Sequence, residues 1–388
     1  MDEHVLSTYL RADEVFVRGE GARLWDADGR QWIDFLGGIA VSALGHAHPR
    51  LVAELTDQLG KLIHTSNLFR HPYTEEVAAR VARLSGMEAV FFTNSGTEAV
   101  EAALKIARKR QRKLGQPSRT GFVAFEGSFH GRSMGSLSVT HTAKYREPFE
   151  PLVPGVSFIA PGDETALERV LATQSPAAVI LEPIQGESGV RGLSPQSLRE
   201  ARRLATETGT LLVHDEVQCG SGRTGTFLYS EQLDVHPDIV TLAKPIAAGL
   251  PMGMALVSKE LAGTLQPGDH GSTFAGGPLV CRGALVFLQA LEDGLLAQVR
   301  ERGAQLRAGL LALQQEFPLV TEVRGRGLIQ GLRLARDAEK LQKLLYAKRL
   351  LTNCTAGDVI RLLPPYVITP DQIARGLATL RAGLEELG

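Results

Sequence analysis

Five short apolar runs in this 388-residue chain lead into residues that can do chemistry. Residues 89–93 (AVFFT) are followed by Asn94, Ser95, Gly96 and Thr97, then a helical pattern. Free N–H groups at such a helix start suit an anion, although an ordinary N-cap by Ser95 or Thr97 explains the same residues. Residues 121–125 (GFVAF) lead to Phe129, which can stack on a flat ligand, and Arg132, which can grip a carboxylate. A core phenylalanine beside a solvated arginine is the plainer reading. The run at 177–183 ends around Glu182, with Glu187 in the next loop. These carboxylates could act as a general acid and base, or each could pair with a basic neighbour. The run at 210–213 leads into His214, Asp215, Glu216, Val217 and Gln218. An aspartate ending a buried strand is costly unless a cation meets it, and a helix cap or internal ion pair would also serve. The run at 238–243 ends at Lys244, in a chain with ten lysines and 32 arginines. A desolvated lysine can lose its proton and bond to a carbonyl, which arginine cannot; the alternative is a stem that snorkels outward.

A phosphate cup, a stacking aromatic, a buried aspartate and a desolvated lysine are together the parts that hold pyridoxal 5′-phosphate. They can meet if their strands lie side by side, because ligands of parallel sheets bind beyond the carboxyl ends of the strands. The chain alternates such strands with helix-period stretches, as in 98–113 and 195–208. That alternation predicts an α/β fold with a mostly parallel central sheet. Both ends read differently. Strand-like pieces flank a turn at Asp28-Gly29, and helical patterning from 290 to 317 precedes short strands and a last helix from Pro370. The expected organisation is a large α/β domain over 51–290, with a smaller α+β domain built from 1–50 and 291–388.

Composition narrows the function. The 42 basic and 43 acidic residues leave a net charge of −1, which argues against nucleic acid as a partner. Cys219, Cys281 and Cys354 show neither disulfide nor zinc spacing. The N-terminal MDEHVLSTYL has no signal-peptide character, and no apolar run approaches a membrane span, so a cytoplasmic protein is expected. Gly220 to Gly225 matches the dinucleotide pattern GxGxxG, which would make an NAD-dependent oxidoreductase, but no clear helix start follows it. His46 and His48 have no third metal ligand nearby and read as a turn before a helix.

The chain resembles the class III (subgroup II) pyridoxal-phosphate aminotransferases of fold type I, and within them the acetylornithine aminotransferase group. The likeness runs from about 31 to 368 through HTSNLF, FFTNSGTEAVEAALKIAR, FEGSFHGR, LEPIQGESGV, HDEVQCGSGRTG, LAKPIAAGLPMG, HGSTFAGGPL and VIRLLPPYVI. It implies that Lys244 bonds to the cofactor and then shuttles the proton, and that Asp215 pairs with the pyridine nitrogen. Val217 and Phe129 would sandwich the ring, Gln218 would approach its phenolic oxygen, and Ser95, Gly96 and Thr97 would hold the phosphate. Thr273, beside Ser272, would reach the neighbouring subunit's phosphate, which implies a homodimer with shared sites. Arg361 would bind the α-carboxylate of glutamate or 2-oxoglutarate, and Arg132 a distal carboxylate. Glu187 would pair with Arg361 when an ω-amine is bound.

The implied reaction passes the terminal amine of N-acetylornithine to 2-oxoglutarate, in arginine biosynthesis. The nearest alternatives keep the fold and change the amine: N-succinylornithine, 4-aminobutyrate, free ornithine or a carrier-bound aminoadipate semialdehyde. Ile39 stands where ornithine-specific relatives place a tyrosine, which suits a blocked α-amine. Pro245, Ser188 and Gly277 depart from the family pattern, which usually has glycine-rich sequence after the lysine, a small glycine or alanine, and asparagine.

Overall fold

The structure is a computed structural model that describes residues 4–388; Met1 to Glu3 of the acidic N-terminal stretch lie outside the described residues. In chain order the strands are β1 (Phe16–Glu20), β2 (Arg23–Asp26), β3 (Gln31–Asp34), β4 (Ala89–Thr93), β5 (Phe122–Phe125) and β6 (Val156–Ile159). Next come β7 (Ala178–Leu181), β8 (Ile184–Gln185), β9 (Arg191–Gly192), β10 (Leu211–Asp215), β11 (Ile239–Leu242) and β12 (Gly253–Val257). The last are β13 (Val320–Arg326), β14 (Ile329–Leu334), β15 (Leu350–Leu351), β16 (Asn353–Thr355) and β17 (Val359–Leu362).

Seven strands form the central sheet in the order β4-β12-β11-β10-β7-β5-β6. The pairings β10–β11, β10–β7, β5–β7 and β5–β6 are parallel, while β12 runs antiparallel to both β11 and β4. Residues of β5, β7, β11 and β12 are buried throughout, which explains their unbroken apolar sequence: helices cover both faces of such a sheet. The two strands without a sequence signal were β6 and β12. Pro251 and the glycines around Gly249 obscure the start of β12, and Ser157 interrupts β6.

The helix Gly96–Lys113 packs Val100, Ala103, Leu104 and Ala107 into this core. Ser95 caps its start, and Arg110, Arg112 and Lys113 complement the dipole of its last turn. The helical stretch expected over 290–317 is divided. A helix Pro278–Ala290 ends in a π-turn at Leu291–Leu295, where Gly294 has φ 112°, and Leu296–Glu316 continues beyond. His48 caps the helix Pro49–Leu59, so the HAHP segment is the expected turn before a helix. The chain ends build two further four-stranded sheets, β1-β2-β3-β15 and β13-β14-β17-β16. Strand β17 carries Arg361. Among the described residues no helix is long and apolar enough to cross a membrane.

Candidate active site

The carboxyl ends of β4, β5, β7, β10 and β11 open into one cavity of about 410 Å³. Ser95, Gly96, Thr97, Phe129, Arg132, Asp215, Val217, Gln218 and Lys244 all line it, as do His130, Glu182 and Val41. Residues from five separate strand ends therefore share one space, whereas Glu187, Arg361, Ser272 and Thr273 are not among those that line it.

At one end lies the start of the helix Gly96–Lys113. Ser95 Oγ accepts from Glu98 N at 3.3 Å, so Ser95 is a cap. The N–H groups of Gly96 and Thr97 precede the first intrahelical acceptor and stay available to an anion. The cap by Ser95 thus leaves these donors free, so capping and anion binding are compatible at this turn. Thr97 turns its hydroxyl elsewhere: Oγ1 lies 2.6 Å from Ser136 Oγ and accepts from Ser133 N at 3.2 Å. A Cβ on Gly96 would sit 2.9 Å from Val217 Cγ1. Gly96→Ala is therefore expected to displace Val217 and weaken cofactor retention by about tenfold, measured by titrating the apoenzyme with pyridoxal phosphate.

Asp215 ends β10 and is 4% exposed. Its Oδ2 accepts from His130 Nδ1 at 2.7 Å, and its Oδ1 accepts from Thr241 Oγ1 at 2.8 Å and Val217 N at 3.1 Å. His130 Nε2 is buried without a partner among the described residues. Neither His130 nor Thr241 was singled out from sequence; the dipeptide Phe129-His130 at a strand end was the available signal. Glu182 does not form an acid–base pair with Glu187. It accepts from Phe129 N at 2.8 Å and Gly186 N at 3.3 Å, and so anchors the backbone at Phe129. Burial, then the charge of Asp215, pushes its pKa well up.

Lys244 opens the short 3-10 turn Lys244–Ala247 with φ 48°, a left-handed conformation uncommon for a side-chain-bearing residue. Pro245 follows and narrows the choices further. The strain falls on a residue facing the cavity, as strained backbone at working sites often does. Burial lowers the Lys244 pKa; Glu187, Asp215 and Glu182 oppose it without prevailing, and Arg361 reinforces it. The amine is therefore neutral at a lower pH than an ordinary lysine.

Arg361 is wholly buried. Its Nη1 donates to Glu187 Oε1 at 2.6 Å and to Gln218 Oε1 at 3.0 Å, its Nε to Asn353 Oδ1 at 3.2 Å, and its buried Nη2 has no partner among the described residues. Burial raises the Glu187 pKa, but the Arg361 charge and hydrogen bond, with Lys244, bring it below the usual value. Arg132 is exposed, with its guanidinium carbon 3.6 Å from the Tyr145 ring centroid and 5.5 Å from that of Phe129. Ser272 Oγ accepts from Asn94 Nδ2 at 2.9 Å, beside the Ser95–Thr97 turn of its own chain, whereas Thr273 is exposed and outside the cavity lining.

The departures from the family pattern have local consequences. Ser188 Oγ donates to Gly127 O, joining the Glu187 loop to the strand end. Gly277 stands at the N-cap of the helix Pro278–Ala290, which lacks a side-chain cap. Gly220 to Gly225 forms turns that no helix follows directly, so it lacks the strand–turn–helix setting of a dinucleotide site.

These residues fit pyridoxal phosphate. Helix-start donors, a buried acceptor carboxylate, an aromatic and an apolar side chain, and a desolvated amine line one cavity. Fold and site together define a pyridoxal-phosphate-dependent aminotransferase. The sequence model of the "Aminotransferase class-III" family matches residues 9–384, and the chain belongs to that family. It is 44% identical to the acetylornithine aminotransferase of Methanopyrus kandleri over 392 aligned residues, covering 100% of this chain and 98% of that one. The N-acetylornithine aminotransferase structure from Stenotrophomonas maltophilia superposes with TM-score 0.86 at 38% identity, covering 98% of each chain. The ornithine aminotransferase structure from Toxoplasma gondii superposes with TM-score 0.94 at 34% identity, covering 99% of this chain and 93% of that one.

Proposed function

We propose that this aminotransferase moves the terminal amine of N-acetylornithine to 2-oxoglutarate, leaving an N-acetylated semialdehyde and forming glutamate, as a cytoplasmic homodimer in arginine biosynthesis. The observation that carries the reading is Arg361, buried, held by Glu187 through Nη1 and unpartnered at Nη2. An α-carboxylate that displaces Glu187 takes over its bond to Nη1 and draws the buried Nη2 into a bidentate pair. When the substrate presents a terminal amine instead, no carboxylate reaches Arg361, and Glu187 neutralises it. One site can thus accept glutamate and an ω-amine in turn. Arg132, at the exposed side, would take the distal carboxylate in each case. Ile39 in place of a tyrosine favours the blocked α-amine over free ornithine. The division into a domain over 51–290 and a smaller one from 1–50 and 291–388 belongs to the same proposal, as do Ser272 and Thr273 reaching a partner's phosphate.

Bound pyridoxal phosphate supplies an aldehyde and a protonated pyridine ring that withdraws electrons from the reacting carbon. Asp215 keeps the proton on the ring nitrogen, and His130 and Thr241 fix the orientation of that carboxylate. Phe129 and Val217 confine the ring plane. Lys244 would take the proton from the substrate carbon bearing the amine and return one on the cofactor side, and burial shifts its pKa down, toward the neutral base this role requires.

Visible absorbance tests the substrate. N-acetylornithine added without 2-oxoglutarate should bleach the yellow band; bleaching by another ω-amine alone would refute the proposed substrate and keep the chemistry. Glu187→Gln separates the two half-reactions. Without the carboxylate charge, Arg361 is uncompensated against N-acetylornithine, so kcat/KM for that half should fall about tenfold, while 2-oxoglutarate should bind as well or better. Single-turnover kinetics of each half would show this; an equal loss in both contradicts the exchange.

A further inference from the structure

A second cavity, of about 540 Å³, shares no lining residue with the first. Its walls come from Thr224 of the GxGxxG pattern and the segment just after it, the helix Leu296–Glu316 and the β13–β14 hairpin. Three guanidiniums line it: Arg300, Arg307 and Arg326. Arg300 and Arg307 stand seven residues apart and so share one helix face, with Gly303 and Ala304 leaving room between them. Arg326 approaches from the end of β13.

Among the described residues no acidic group pairs with these three charges. Arg300 Nη1 donates to Gly225 O at 2.6 Å, Arg307 Nη1 to Gly325 O at 3.2 Å, and Arg326 Nε to Gln232 Oε1 at 2.9 Å. Every acceptor is neutral. No aspartate or glutamate lines the cavity, and among the described residues none of the three arginines forms an ion pair. Neighbours on the same elements do, as in Arg302 with Glu301 and Arg324 with Glu322. The wall is also stiff: a Cβ on Gly303 would lie 2.6 Å from the Gly327 backbone, and Gly327 has φ 54°. Like charges gathered on a rigid, acid-free concavity attract a counter-anion, and guanidinium forks match phosphate and carboxylate oxygens.

We infer that this cavity binds a small, multiply charged oxyanion, either a phosphorylated metabolite or a di- or tricarboxylate, at a site separate from the reacting lysine. The GxGxxG segment, which does not form a dinucleotide turn, contributes Thr224 and a carbonyl acceptor for Arg300 to this site.

Isothermal titration of the holoenzyme with inorganic pyrophosphate and with citrate tests it, at constant ionic strength set with sodium chloride. Saturable binding is expected for at least one, weakened about tenfold or more in Arg307→Gln and in Arg326→Glu, each of which removes a charge-assisted contact. Arg326 is exposed, so its variant keeps the test intact if Arg307→Gln folds poorly. Preference for pyrophosphate identifies a phosphorylated ligand, and preference for citrate a carboxylate one. Binding that persists unchanged in both variants belongs to the aminotransfer cavity and overturns the inference, as does the absence of binding by either anion at millimolar concentration. The outcome is independent of which amine the enzyme uses.

Discussion

Lys244→Ala is expected to lower turnover by about 10⁴-fold or more and to abolish the borohydride-reducible bond to the cofactor. Among the described residues no other lysine lines the cavity, so no neighbouring amine of this chain stands ready to substitute. The helix-start donors and Asp215 remain, and the variant should still bind pyridoxal phosphate noncovalently, with an altered visible spectrum. Reduction with borohydride followed by mass measurement of the protein separates the two states. A Lys244→Ala enzyme that turns over normally, or still retains cofactor after reduction and unfolding, would eliminate Lys244 from the chemistry. The pKa of this lysine adds a pH test. Only the neutral amine attacks an aldehyde, so the rate at which apoenzyme takes up cofactor rises with pH and levels above the lysine's pKa. Burial lowers that pKa from 10.5, so the midpoint should fall below 10.5. A midpoint at or above that value would mean that the opposing charges of Glu187 and Asp215 outweigh desolvation.

The parts of the site that the sequence revealed were those placed at the ends of apolar runs. Buried parallel strands are unbroken apolar segments, and the next residue is where a ligand can approach. Ser95, Asp215 and Lys244 were legible for that reason before any of their contacts were known. The partners of Asp215 were not. His130 lies 85 residues away and Thr241 lies 26 residues away, and no local pattern announces such a pairing. The same applies to Glu187 and Arg361, separated by 174 residues; their ion pair came from the family resemblance rather than from spacing. The acid–base reading of Glu182 and Glu187 failed because sequence proximity does not give orientation: one carboxylate faces backbone amides, the other an arginine. In the fold, β12 was hidden because it enters the sheet antiparallel, after a segment whose proline and glycines read as a loop.

Asp215→Ala should reduce kcat by about 10³-fold, equivalent to roughly 4 kcal/mol of transition-state stabilisation. The pyridine nitrogen would lose the carboxylate that keeps its proton, and with it much of the ring's capacity to withdraw electrons. This substitution also strips acceptors from His130 Nδ1 and Thr241 Oγ1, both buried, so some stability is lost as well. Asp215→Asn distinguishes the two effects. It preserves volume and leaves one oxygen for Thr241 Oγ1 and Val217 N, so thermal stability should stay close to that of the parent. It removes the charge, so kcat should fall nearly as far as in the alanine variant, while KM for N-acetylornithine changes little. The cofactor's visible band should also lose its ordinary pH response, a change that a purely structural aspartate would not cause. Activity within about threefold of the parent in Asp215→Asn would be too small a loss for a group holding the ring proton. Asp215 would then be a scaffold for His130, and the ring nitrogen would need another partner in the same cavity.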